Sequence, residues 1–396
     1  MPNTFSSLFA GHSGASPALG APGRGWLSYG GLRSLTEEVR GSLHGAGIGR
    51  GDRVAIVLPN GPEMAAAFVT VAQSAVTAPL NPACTADEFA FYLEDLGAKA
   101  VILPEGESGP AAKAAGRLGL RVLRLSVPDE APAGAFRLRS DSEDRPADAG
   151  LPEPDDIALI LHTSGTTSRP KIVPLLQSNV AASAEHIRAS LDLTSADRCM
   201  NVMPLFHIHG LVAAVTASLS AGASIWCAPG FDALRFFGWL KDAQPTWYTA
   251  VPTMHQAILS RAGRNADVIA GANLRFLRSS SASLPAQVMV QLQETFGAPV
   301  IEGYGMTEVG LATLNPPSGL IKIGSVGRPV PGFALVVRGE NGVDVPIDAP
   351  GQLFMKTPSL TAGYWNDPAA TAEAISDGWI NSADVMKVDE DGYLWF

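Results

Sequence analysis

The chain has 396 residues, more than one compact core accommodates, so two or three packed units are expected. Apolar residues make up 46% of it and the mean hydropathy is +0.14, which marks a well-buried globular protein. A net charge of −10 with no basic run argues against a nucleic-acid surface. Three widely spaced cysteines (Cys84, Cys199, Cys227) favour free thiols in a reducing compartment over a disulfide framework or a zinc site.

Residues 1–24 are rich in Gly, Ala, Ser and Pro, lack the pattern of a signal peptide, and are expected to be loosely held. Leu35, Val39 and Leu43 repeat at helical spacing. The apolar run 53–58 ends at Pro59-Asn60-Gly61, as a buried parallel strand would. A helix over 64–76 and a strand at 78–80 follow, and Thr85 with Glu88 forms a capping box ahead of Phe89, Leu93 and Leu96. Strands at 100–103 and 120–125 flank an Ala-rich helix. Such alternation implies a parallel sheet covered on both faces. The charge-free stretches 64–86 and 209–231 are broken by Pro79, Asn81, Gly222 and Pro229, so they read as buried helix-then-strand segments and not as membrane spans. A cytoplasmic protein without membrane partners is therefore expected.

Residues 127–156 change character, with five prolines and many carboxylates, and read as a surface connection. Beyond them lie a strand at 157–161, a helix at 178–191 and a second α/β run over 200–303. After Ser325 the elements shorten to strands at 334–337, 351–356 and 393–395 joined by Gly/Pro/Asp turns. The expected fold is α/β: two packed, mostly parallel subdomains (25–150 and 151–324) and a small β-rich, barrel-like one (325–396).

The organising stretch is 157–174, IALILHTSGTTSRPKIVP. Its strand empties into Thr163, Ser164, Gly165, Thr166, Thr167 and Ser168, whose small side chains let backbone N–H groups and hydroxyls turn onto one anion. Lys171 adds the point charge a polyphosphate needs. Neither a Walker loop nor a GxGxxG motif is present. The order Thr-Ser-Gly-Thr-Thr-x-x-Pro-Lys resembles the phosphate loop of the adenylate-forming superfamily, which includes acyl-CoA synthetases, luciferases and adenylation domains.

That resemblance implies roles for four further motifs. In VIEGYGMTEVG (300–310), it places Gly303 and the Tyr304 ring against adenine, Thr307 on the α-phosphate and Glu308 on Mg²⁺. A hard cation bridging phosphates wants one or two carboxylates, which agrees with that role. In RSSSASL (278–284), Ser281, Ala282 and Ser283 occupy the adenine loop; Ser280 and Ser281 replace two glycines of the family pattern and Ser283 a proline. In PLFHIHG (204–210), His207 falls beside the reacting carboxylate, with His209 two residues on. A metal pair is the less favoured reading of these histidines, since no third ligand is patterned nearby. In GWINSAD (378–384), Asp384 would hold the ribose hydroxyls, with Ser382 and Ala383 where Thr and Gly are usual.

The resemblance implies ATP-dependent activation of a carboxylate, in which the acyl-adenylate forms with loss of pyrophosphate and is captured by CoA. Lys171, Thr167, His207 and Glu308 would be the catalytic set, and transfer to a carrier protein or an amine is the alternative. The runs HTSGTTSRPK, PLFHIHG, TWYTAVPTMHQ and LRFLRSSSASL are most similar to oxalate–CoA ligases. A polar acyl pocket of His207, His209 and Ser280 suits a small diacid, whereas Gly305, where that group commonly carries Ala, leaves room for a larger one. Relatives continue into a smaller domain bearing a catalytic lysine. Because this chain stops at Phe396 in mid-pattern, nucleotide binding with slow turnover is expected of it.

Overall fold

The computed structural model describes residues 3–140, 150–163 and 170–396. Among these the apolar runs pair into three sheets. The first has seven strands, ordered Arg137–Ser140, Arg121–Ser126, Ala100–Pro104, Arg53–Ile56, Val76–Pro79, Ile157–His162 and Ile172–Leu176. Its inner strands are parallel, as fully buried runs joined by helices must be, and an antiparallel strand closes each edge. The second has nine, with Arg198–Asn201, Trp247–Ala250, Phe276–Ser279 and Val300–Met306 parallel near its centre. The third is small and antiparallel, built from Ala334–Arg338, Gly351–Lys356, Ile375–Ser376 and Trp379–Val388, with Leu394–Trp395 added to the last.

Side-chain alternation explains how the two large sheets stack. Cys199, Trp247, Phe276 and Ile301 point to one face of the nine-stranded sheet and share a core with Val54, Ile56, Leu159 and Leu161 of the seven-stranded one. Between them lie the helices Tyr29–Gly45, Pro62–Val71 and Gln177–Ser190 and the π-helix His209–Thr216. Met200, Tyr248, Leu277 and Val300 point the other way, onto helices Phe236–Ala243, Pro252–Ala262 and Ala286–Phe296. The expected capping box is present: the Thr85 Oγ1 accepts from the Glu88 amide at 3.3 Å, and Glu88 accepts from the Thr85 amide at 2.7 Å. No helix among the described residues is long and apolar enough to cross a membrane.

Three expectations need correction. The N-terminus is anchored: helix Phe5–Phe9 buries Phe5, which meets Phe68 edge to face at 5.4 Å, and the Phe5 amide donates to the Gln177 Oε1 at 2.9 Å. Residues 17–28 form a hairpin, Pro17–Ala21 with Arg24–Ser28, that edges the nine-stranded sheet. Composition suggested looseness because the aromatic anchors are few; their partners lie far along the chain. Residues 127–156 are likewise not all surface connection, since Phe136 is buried and Arg137–Ser140 pairs with Arg121–Ser126. Lastly, the sheets do not divide at residue 150: the hairpin Ile157–His162/Ile172–Leu176 completes the first sheet, while 17–28 belongs to the second.

Candidate active site

Parallel strands carry their loops to a common end. At the carboxyl ends of Trp247–Ala250, Phe276–Ser279 and Val300–Met306 the chain presents Val251, Ser280–Ser283 and Thr307–Glu308. Lining the cleft with them is the base of the hairpin from the other sheet, where the Thr163 amide donates to the Lys171 carbonyl at 2.9 Å. The cleft between measures about 1070 Å³ and is lined by Thr163, Lys171, His207, Thr307, Glu308 and Asp384, with His209, Ser281 and Gly305 at its inner wall. A side pocket of about 150 Å³ gathers Ser281, Ala282, Ser283, Gly303, Tyr304 and Asp384. Every described residue expected at the site thus lines one of these spaces or the recess beside them, where Ser280 lies. Ser164, Gly165, Thr166 and Thr167 lie outside the described residues.

Local chemistry sets each side chain. Asn60, at the end of a strand of the first sheet, accepts from the Leu205 amide at 2.8 Å and donates to the Ala228 carbonyl at 3.1 Å, which pins the PLFHIHG loop. Gly210 allows that loop to fold back, since a Cβ there would lie 2.4 Å from the Pro204 carbonyl oxygen. His207 is exposed at the cleft, its ring 4.6 Å from that of Phe206. His209 is buried, and both its ring nitrogens are engaged: Nδ1 with the Ser281 hydroxyl at 2.9 Å and Nε2 with the Thr249 hydroxyl at 2.6 Å. Burial, reinforced by the Arg278 charge, holds its pKa well below the ordinary value, so it stays neutral. A neutral imidazole with both nitrogens committed ties the small-residue loop to the sheet and has no free lone pair for a metal.

Glu308 is buried, and its Oε1 accepts from the Tyr364 hydroxyl at 2.9 Å. Lys171 Nζ lies 4.6 Å above the same Tyr364 ring, so the tyrosine bridges the cation and the carboxylate across the cleft. Tyr364 sits in TAGYWND, which carries no recognisable signal, and the sequence reading missed it. Tyr304 donates its hydroxyl to Asp384 at 2.6 Å, joining the nine-stranded sheet to the small β unit at the side pocket. Ala383, where a glycine is usual, keeps glycine's geometry, with φ of +61°. Ser281 does likewise at +72°, and non-glycine residues held there cost about 1–2 kcal/mol each. Gly305 does not widen the acyl end as expected: its missing Cβ would lie 2.2 Å from the Gly310 carbonyl oxygen, so backbone fills that space. Ser280 spends its proton on the Gly303 carbonyl at 2.9 Å. Glu302 is buried at the side pocket with Oε1 accepting from the Leu284 amide at 2.8 Å and Oε2 without a partner among the described residues; burial pushes its pKa up to about 7.

A magnesium ion carried on phosphates asks the protein for one or two hard oxygens. Glu308, facing the cleft beside Thr307 and Lys171, fits that demand.

Fold and site together define an adenylate-forming α/β enzyme. The family model described as AMP-binding enzyme matches residues 9–365. The chain belongs to that family and is an AMP-forming acyl-CoA synthetase, a class that works with ATP, Mg²⁺ and CoA. It is 40% identical over 385 residues to an oxalate–CoA ligase from Arabidopsis thaliana, a match covering 95% of this chain and 74% of that one. A feruloyl-CoA synthase from Amycolatopsis sp is 35% identical over 377 residues, covering 93% of this chain and 72% of the relative. Among solved structures, apo MatB from Rhodopseudomonas palustris superposes with a TM-score of 0.88 at 28% identity, over 100% of this chain and 78% of that one.

Proposed function

We propose that this enzyme activates a short, polar carboxylic acid, oxalate first, as its adenylate and passes the acyl group to CoA. The observation that carries the reading is the convergence on one cleft of Lys171, His207, Thr307 with Glu308, and Asp384 from four separate stretches of chain, with the Tyr304 pocket at its side. In the first step a carboxylate oxygen bonds to the α-phosphorus of ATP and pyrophosphate leaves. In the second the CoA sulfur bonds to the acyl carbon and AMP leaves. Little covalent work falls to the protein; placement and charge neutralisation supply the rate. Lys171, Thr167 and the stretch Thr163–Gly165 would hold the phosphates, Thr307 the α-phosphate, and Tyr304 and Asp384 the nucleoside. Magnesium, when bound at Glu308, would offset the phosphate charge. His207, at the cleft surface, would steer the incoming anion.

The test is acid-dependent ATP–pyrophosphate exchange with mono- and dicarboxylates, alongside Mg²⁺-ATP binding. Glu308→Gln is expected to weaken Mg²⁺-ATP binding and to slow exchange on the order of a hundredfold while folding is retained. Unchanged nucleotide affinity in that variant would remove Glu308 from the metal site, and a preference for long-chain acids would overturn the choice of substrate.

A further inference from the structure

Arg278 stands on the strand Phe276–Ser279, in register with Thr249 on one side and Ile301 on the other. It is only 2% exposed, and neither its Nε nor its Nη1 has a hydrogen-bond partner among the described residues. The carboxylate nearest in the sheet cannot serve it. Glu302 is in register with Ser279, so its side chain leaves the opposite face. Burial draws the guanidinium pKa down to about 10, which still leaves it charged at neutral pH. A buried, unpaired charge is costly, and native proteins keep one where something else completes it.

What lies beside it is a recess of about 40 Å³, where Ser183, His209, Arg278, Ser280 and Ser281 line one part and apolar side chains such as Ile187, Val212 and Leu311 line the rest, with Gly305 also at its wall. It shares His209, Ser281 and Gly305 with the wall of the main cleft, so it adjoins the acyl end of the site. Ser183 is also buried, and its Oγ has no partner. Two buried donors thus face one small space, while both nitrogens of His209 are already committed. At roughly 10–15 Å³ per water-sized probe, the recess holds about three small heavy atoms. That is the size of one carboxylate and too small for an aromatic ring.

We propose that this recess receives the second anionic group of the acid substrate, and that Arg278, with Ser183, selects a short dicarboxylate over a monocarboxylate of the same size. The inference rests on the acid-activating function proposed above. One carboxylate lies in the cleft and reacts; the other enters the recess and pairs with the guanidinium. A neutral group placed there would leave Arg278 desolvated and unpaired, and such sites reject ligands that lack the matching group by large factors.

Oxalate and oxamate differ only in that the second carboxylate is replaced by a neutral amide. Adenylation kcat/KM would be measured for both acids on the wild-type chain and on Arg278→Met and Arg278→Lys, with AMP binding by each variant reporting that the nucleotide pocket is intact. The wild type is expected to prefer oxalate about 100-fold, Arg278→Met to lose that preference, and Arg278→Lys to keep part of it. Retention of the wild-type ratio in Arg278→Met would overturn the assignment, as would equal use of the two acids by the wild type. Should Arg278→Met not bind AMP, the ratio in Arg278→Lys decides: an unchanged ratio overturns the proposal and a reduced one supports it. Failure of the wild type to bind AMP would instead sink the enzymatic reading itself, so the two failures are distinguishable.

Discussion

At the scale of single residues, the site concentrates groups that a stable core would avoid. Arg278 and Glu302 are buried on opposite faces of the same sheet, each with unpartnered atoms, and Ser281 and Ala383 hold left-handed backbone. Strain and unpaired polarity of this kind mark places where a ligand completes the structure. Glu302 yields a pH prediction. Its folded carboxyl is raised by burial to about 7 from an ordinary 4.5, so the folded state holds a proton that the unfolded chain has released. The stabilisation is complete below pH 4.5 and is lost as pH rises through 7. Denaturant unfolding of the wild type and Glu302→Gln at pH 5 and pH 8 checks this. The variant is expected to gain on the wild type between the two pH values, by roughly 3 kcal/mol at most. A constant difference would show that Glu302 ionises as an ordinary surface carboxylate does.

Among elements, the hairpin Ile157–His162/Ile172–Leu176 matters most because it brackets the proposed phosphate-binding stretch yet lies at a sheet edge. It is braced from the small β unit: Thr361 donates its hydroxyl to the Pro174 carbonyl at 2.6 Å, and the Trp365 amide donates to the Ile172 carbonyl at 2.9 Å. The helix after it is braced from the N-terminus, through Phe5 and Gln177. Phe5→Ala, at a site with no exposure, is therefore expected to cost about 3 kcal/mol in unfolding free energy, read from the shift of the urea midpoint. A loosely held N-terminus would show no shift.

For the whole molecule, the proposed nucleotide site is a joint between two sheets: Tyr304 belongs to the nine-stranded sheet and Asp384 to the small β unit, and one hydrogen bond links the two side chains. A nucleotide that uses the Tyr304 ring and the Asp384 carboxylate together stabilises that joint by mass action, about 2.7 kcal/mol at a ligand concentration of 100 Kd. Saturating AMP is thus expected to raise Tm and to slow amide exchange selectively in Trp379–Val388 and Val300–Met306. Exchange slowed uniformly, or in the hairpin alone, would place the nucleotide elsewhere.

The α/β class, the β-rich third unit and the residues that gather at the cleft were legible in the sequence, because those depend on local patterns. Apolar runs mark buried strands, and short motifs such as Thr-Ser-Gly-Thr-Thr and Gly-Tyr-Gly-Met-Thr-Glu carry their chemistry within a few residues. Whatever depends on contacts between distant segments was settled by the packing of the whole chain. Phe5 found Phe68 and Gln177, which no local composition announces. Tyr364 came to bridge Lys171 and Glu308 from a stretch without a motif. Gly305 lost its apparent spare room to the Gly310 carbonyl. Arg278 lay in plain view at the head of RSSSASL, but whether it met a carboxylate, water or an empty recess turned on strand register. A one-residue step sends Glu302 to the far face and leaves the guanidinium without a partner in the sheet.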